Sequence, residues 1–129
     1  MILPTTLCFA AAAALINFWL GIRCGKIRQS EKISVGDGGN DTLIRRMRAQ
    51  ANFAEQTPLT VILVGLVELA GKGGQWLAPA AAVFVIGRIA HCLGMEGNFN
   101  AGRPIGMLTA MLFQLVLIVV GVLTVLGRF

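Results

Sequence analysis

The residues best suited to chemistry form a polar stripe along one predicted helix. Arg45, Arg48, Asn52 and Glu55 follow one another at intervals of three, four and three residues. Because an α-helix has about 3.6 residues per turn, these side chains share one face, with Gln56 beside them. An apolar block follows, so the Glu55 carboxylate needs a partner or water. Two interpretations fit: a buried Arg48–Glu55 ion pair without a ligand, or one wall of a pocket for an anionic ligand.

A second set of polar residues can supply the opposite wall. Arg88 and His91 are three residues apart and share a face of the third apolar block. Each residue also has an interpretation without a ligand. Arg88 can be an interfacial arginine that extends to the headgroups, and His91 can be a histidine that is only hydrogen-bonded. Arg103 precedes the fourth block, at the same predicted level as Arg45 and Arg48. Because guanidinium groups bind carboxylates in a fork geometry, this arrangement predicts a ligand with several carboxylates.

The elements that must position these residues are membrane helices. Of the 129 residues, 56% are hydrophobic and 13% are charged, whereas about 25% are charged in soluble domains. No charged side chain occurs in residues 1–22, 56–67, 73–87 or 104–127. The first and last blocks reach the roughly 20 residues that a bilayer span needs. The middle two reach that length only if their helices carry charges at the membrane edge.

We therefore predict a single all-α domain, an integral membrane four-helix bundle with helices at about 4–28, 41–70, 75–93 and 104–127. Asp41 or Thr42 is expected to cap the second helix, and Pro58 to bend it. Pro104 suits the first turn of the fourth helix. The glycine-rich run 36–40 lacks the Gly-Lys-Ser/Thr ending of a P-loop, which favours a linker.

The basic residues predict the orientation in the membrane. Seven of them flank the first loop: Arg23, Lys26, Arg28, Lys32, Arg45, Arg46 and Arg48. Arg88 and Arg103 flank the third loop, whereas Lys72 is alone in the second. The positive-inside tendency places loops one and three in the cytoplasm and both termini in the periplasm of a bacterial inner membrane. Basic residues placed between apolar blocks speak against nucleic-acid binding, and one histidine with three separated cysteines predicts no metal site.

The stripe closely resembles a known signature. Residues 45–58 read Arg-Arg-Met-Arg-Ala-Gln-Ala-Asn-Phe-Ala-Glu-Gln-Thr-Pro. The family of membrane-associated proteins in eicosanoid and glutathione metabolism, MAPEG, has the pattern Arg-x-x-Arg-Ala-x-x-Asn-x-x-Glu. The chain size, the helix count and the Gly87-Arg88 pair agree as well. The resemblance implies a homotrimer of four-helix subunits, with glutathione bound between neighbours near the cytoplasmic side.

The resemblance also implies roles for individual residues. Arg103 is similar to the arginine that polarises the glutathione thiol. The side chains implied to hold glutathione are Arg28, Arg45, Arg48, Gln50, Asn52, Glu55, Gln56, Arg88 and His91. The chain departs from the family pattern in two ways. Ile44 replaces the usual acidic residue, and no tyrosine is present, so Gln56, His91 and Met95 occupy positions of family tyrosines.

The implied activity is a glutathione-dependent transferase or peroxidase. A thiolate is the reactive form of a thiol, and a nearby arginine stabilises it. The thiolate would attack a lipophilic electrophile or reduce a lipid hydroperoxide, with the lipophilic substrate in an apolar groove between helices. The main alternative is a non-catalytic membrane protein whose arginine stripe is structural or binds lipid headgroups. A proton-coupled exporter is a weaker alternative, because the first helix lacks a carboxylate and only Glu55 and Glu68 remain as candidates.

Overall fold

Four α-helices and no strand make up the fold in the computed structural model, which describes all 129 residues. The helices are α1 (Pro4–Glu31), α2 (Asp41–Leu69), α3 (Leu77–Met95) and α4 (Gly102–Val125). The all-α, four-helix class predicted from the sequence is thereby confirmed. Helix ends differ from the sequence prediction by up to three residues, and α4 begins early enough to include Arg103 in its first turn.

The distribution of side chains is that of an integral, multi-pass membrane protein. Helices α1, α3 and α4 are long and apolar enough to cross a membrane. Large apolar side chains such as Leu15, Phe18, Ile86 and Met111 are exposed on the outside of the bundle, which suits contact with lipid. Helix α2 carries charges in its first half. It nevertheless packs against the other three helices, and its 29 residues give it a length of about 43 Å.

Aromatic and glycine residues determine how the helices pack. The rings of Phe9, Phe84 and Phe113 meet with centroids 5.5–6.4 Å apart and form the core near the start of α1. Helices α3 and α4 approach so closely that a Cβ atom on Gly102 would overlap the Ala90 carbonyl oxygen. Glycine therefore permits the backbone contact, which brings the end of α3 against the start of α4.

The start of α1 is capped by a residue from another helix. Leu3 precedes α1 and provides no side-chain cap. The Glu68 carboxylate, near the end of α2, instead accepts hydrogen bonds from the Thr5 and Thr6 backbone N–H groups at 2.9 and 2.7 Å, and from the Thr6 hydroxyl at 2.6 Å. These bonds satisfy N–H groups that have no partner within the helix. Of the two carboxylates considered for an exporter, Glu68 is thus engaged in a helix cap.

The start of α2 differs slightly from the prediction. The capping residue is Asn40 rather than Asp41 or Thr42, and its side chain accepts a hydrogen bond from the Leu43 backbone N–H at 2.9 Å. Asn, Asp and Thr all serve as N-caps, so neighbouring candidates are hard to separate by residue type. Pro58 lies inside α2, which continues past it.

Candidate functional site

Arg88 is the buried centre of the candidate site, with 2% of its surface exposed. Its guanidinium donates one hydrogen bond to the Asn52 side-chain oxygen at 2.6 Å and another to the Gly106 carbonyl oxygen, which links α3 to α2 and α4. Its Nε atom has no partner. None of the three ion pairs within the chain involves Arg88. A buried cation therefore lacks an acidic counter-ion.

A small cleft with one polar and one apolar wall opens beside Arg88. It encloses about 110 Å³ and is lined by Asn52, Gln56, Arg88, Met107, Ala110 and Met111. The Gln114 amide donates to the Gln56 side-chain oxygen at 3.1 Å and to the Thr60 hydroxyl at 2.8 Å, so polar groups continue along α2 and α4 below the cleft. A space of this size holds a carboxylate group, and a larger ligand would extend onto the outer surface.

The charged stripe of α2 lies on the outer surface next to this cleft. Arg45, Arg48 and Glu55 are exposed. Arg45 pairs with Asp41 at 3.0 Å, whereas Arg48 and Glu55 form no ion pair within the chain. Positions 48 and 55 are seven residues apart, about 10.5 Å along the helix axis. The buried Arg48–Glu55 pair considered from the sequence is therefore not formed, and both charges face outward.

Two predicted residues, Gln50 of α2 and Arg28 of α1, lie where these two helices meet. The Gln50 side-chain oxygen accepts a hydrogen bond from the Cys24 thiol at 3.6 Å. Arg28 donates to the Gly36 carbonyl oxygen at 2.6 Å and contacts the Met47 sulfur at 3.6 Å. Within one chain, these residues do not join Asn52, Gln56 and Arg88. The predicted glutathione residues are thus divided between two surfaces of a subunit.

His91 and Arg103 lie near the junction of α3 and α4. His91 is 3% exposed, and a Cβ atom on Gly106 would overlap its side chain. Arg103 is exposed in the first turn of α4. The start of a helix carries unpaired N–H groups and a partial positive charge. Arg103 and the helix start therefore both favour an anion at this point.

The sequence analysis missed an ion-pair cluster formed by Glu96, Arg23 and Arg46, called here the Glu96 cluster. Arg23 donates to both Glu96 carboxylate oxygens, one at 2.8 Å, and Arg46 Nε lies 3.4 Å from the carboxylate. Arg46 also donates to the Arg23 carbonyl oxygen at 2.7 Å. The cluster joins α1 and α2 to the α3–α4 connection. A signal was present, because Glu96 is the only acidic residue after Glu68.

Two apolar grooves on the bundle surface are large enough for part of a lipophilic molecule. One, of about 460 Å³, lies between α1 and α2 and includes Asn17, Phe53 and Thr57. The other, of about 500 Å³, lies between α1 and α3 and includes Cys8 and Phe9. Phe53 and Thr57 directly follow Asn52 and Gln56 in α2. The first groove and the Arg88 cleft therefore lie on neighbouring faces of this helix.

Comparisons with known proteins agree with the resemblance. Residues 6–123 match the model of the MAPEG family. The chain is 24% identical over 99 residues to the inner membrane protein YecN of Escherichia coli K12. The aligned segment covers 77% of this chain and 76% of that protein. YecN of Escherichia coli O6:H1 matches to the same extent. No solved structure shows a significant match. With the family model covering nearly the whole bundle, the chain belongs to the MAPEG family.

Proposed function

We propose that this protein is a membrane glutathione-dependent transferase or peroxidase that acts on lipophilic electrophiles or lipid hydroperoxides. The observation that carries the proposal is Arg88, a buried cation without a counter-ion beside a cleft that also exposes Asn52 and Gln56. A ligand carboxylate would supply the missing negative charge with good geometry. Glutathione has two carboxylates, and the unpaired Arg48 lies one turn before Asn52 on α2.

In this proposal the site is completed by a neighbouring subunit of a homotrimer. Arg48 and Glu55 on the charged face of α2 have no ion-pair partner within one chain, and lipid cannot provide one. Glutathione would lie between the Arg48–Asn52–Glu55 face of one subunit and the Arg28–Gln50 side of the next. Loops one and three would face the cytoplasm, where glutathione is abundant, and the membrane would be an inner membrane, as the name of the relative YecN states for that protein.

Native mass spectrometry in mild detergent tests the assembly, and we expect a trimer. Glu55→Leu removes an unpaired carboxylate from the face that we place between subunits, and it should shift the population towards smaller species or alter trimer stability. Lys72→Ala changes the α2–α3 connection at the other end of α2 and should leave the trimer intact. Observation of only monomers or dimers for the wild type would rule out the proposed arrangement.

The proposed chemistry centres on the glutathione thiol. Arg103 and the N-terminus of α4 would stabilise the thiolate, which is the nucleophile. In transfer, the sulfur forms a bond to a carbon of the electrophile, and the leaving group departs from that carbon with the electron pair of the bond that breaks. In peroxidase chemistry, one glutathione attacks the hydroperoxide oxygen, an alcohol leaves, and a second glutathione gives the disulfide and water. Arg48, Asn52, Glu55 and Arg88 would hold the body of the tripeptide throughout.

Ultraviolet spectra of the purified protein with saturating glutathione test this chemistry. We expect a thiolate absorbance band for the wild type. Arg103→Ala should lose the band while retaining most of the binding, measured as a glutathione-dependent thermal shift. Arg48→Ala should weaken binding about tenfold or more, because a charged hydrogen-bond partner is lost. Arg128→Ala, near the other end of α4, is the matched control and should behave like the wild type.

A second candidate function, a non-catalytic membrane protein with a structural arginine stripe, is favoured by one observation. Two of the Arg88 donors are already used by Asn52 and Gly106 within the chain. If saturating glutathione gives the wild type neither a thiolate band nor a thermal shift, the glutathione proposal fails and this second function replaces it.

A further inference from the structure

A second basic cleft, on a different surface from the Arg88 cleft, lies where α1 leaves the apolar part of the bundle. It encloses about 670 Å³ between the end of α1 and the segment that follows it. Its lining residues are Ile22, Gly25, Lys26, Arg28, Gln29, Ile33 and Ser34. The lining contains two cations and two uncharged polar side chains, and no acid. The cleft is therefore suited to an anion with hydrogen-bonding groups around it.

The cations of this cleft, unlike the neighbouring arginines, have no carboxylate partner within the chain. Arg23 and Arg46 share the Glu96 carboxylate. Lys26 is exposed and forms neither an ion pair nor a side-chain hydrogen bond within the chain. Arg28 donates to a backbone carbonyl, which leaves its charge in place. The positive charge in the cleft thus remains available to an external anion.

The same face of α1 presents an apolar stripe that leads up to the cleft. Leu15, Phe18 and Ile22 are spaced by three and four residues and are 70%, 70% and 56% exposed. Gly25 and Lys26 continue this face by one turn, three and four residues after the charge-free segment 1–22 ends. A Cβ atom on Gly25 would meet nothing within 4 Å, so this part of the cleft is open. The order along the helix is apolar surface, recess, then cation.

We propose that this cleft binds the headgroup of an anionic phospholipid, with its phosphate at Lys26 and Arg28 and an acyl chain along Leu15, Phe18 and Ile22. Phospholipids have this same sequence of chain, backbone and phosphate. Basic clefts at the membrane surface attract anionic headgroups. Gln29 and Ser34 are placed to hydrogen-bond the polar part of the headgroup. Arg28 is the one residue that this site shares with the glutathione proposal, and the tests below therefore use Lys26 and Gly25, which that proposal does not use.

Native mass spectrometry of the whole protein with added lipid tests the site. The wild type should retain adducts of phosphatidylglycerol in preference to phosphatidylcholine. Lys26→Ala should reduce the phosphatidylglycerol adduct about fivefold, the effect of removing one basic residue near an anionic headgroup. Gly25→Asp should abolish it, because the open recess admits the side chain without a clash and its charge repels phosphate. Neither substitution alters a residue that we place in the glutathione site.

Lys32→Ala is the matched control, since it removes one positive charge at the C-cap of α1, outside the cleft lining. It should leave the phosphatidylglycerol adduct unchanged. Equal losses of the adduct for Lys26→Ala and Lys32→Ala would contradict a defined site and would indicate general attraction of the lipid to the basic surface. Equal retention of phosphatidylcholine by the wild type would overturn the proposal. Displacement of the lipid by inorganic phosphate would do so too, because it would identify a simple anion site. Unchanged helix content by circular dichroism verifies the fold of each variant.

Discussion

Replacement of Arg88 by alanine is expected to lower the free energy of unfolding by about 3–5 kcal/mol. The substitution leaves a cavity between α2, α3 and α4 and removes the only side-chain donor to the Asn52 side-chain oxygen. It also removes the bond to the Gly106 carbonyl oxygen. In the membrane interior, water does not replace such partners readily. Arg88→Lys retains the charge but not the fork that reaches both acceptors, so a smaller loss is expected.

Unfolding by a denaturing detergent, followed through the fluorescence of Trp19 and Trp76, measures these differences. Arg45→Ala is the matched control. Arg45 is exposed and pairs only with Asp41 on the same helix, so its loss should change stability by no more than about 0.5 kcal/mol. If Arg88→Ala were as stable as Arg45→Ala, the linking role that we assign to Arg88 would be wrong.

Glu96→Ala should lower the free energy of unfolding by about 3 kcal/mol. The carboxylate is 6% exposed and serves two arginine side chains that are 22% and 19% exposed. Its removal leaves two largely buried positive charges close together, where mutual repulsion adds to the lost hydrogen bonds. The partial exposure of both arginines keeps the expected cost at the lower end for a broken buried pair.

A double-mutant cycle separates the ion pair from the packing. In the Glu96→Ala background, Arg23→Ala should cost much less than in the wild type, because its acceptor is already gone. Asp41→Asn is the matched control, since Asp41 forms an exposed pair and should change stability little. Additive losses for Glu96→Ala and Arg23→Ala would contradict the cluster.

The Glu96 cluster also bears on the candidate site. Glu96 directly follows α3, and Arg103 lies seven residues later in the first turn of α4. The cluster holds the start of this connection against α1 and α2. The close contact of Gly102 with Ala90 holds its end. Together these contacts fix the position of the side chain that we propose to stabilise the thiolate.

The sequence by itself determined the number and approximate limits of the helices. Charge-free blocks in a membrane must satisfy their backbone hydrogen bonds internally, so they fold as helices whatever their partners. The Arg45–Glu55 stripe was also visible, because helical spacing alone places those residues on one face. The family signature lies in the same short segment and needs no tertiary information.

Only the tertiary structure decided which way each polar face points. In a membrane helix, apolar residues face both lipid and core, so hydrophobic periodicity does not identify the buried side. Arg88 is buried and Arg103 exposed, although residue type alone cannot separate them. Likewise Glu96 pairs with Arg23 across 73 positions of sequence, and Glu68 caps α1 across more than 60. Such contacts depend on how the helices pack, which is set by the glycine and phenylalanine contacts between them rather than by any local pattern.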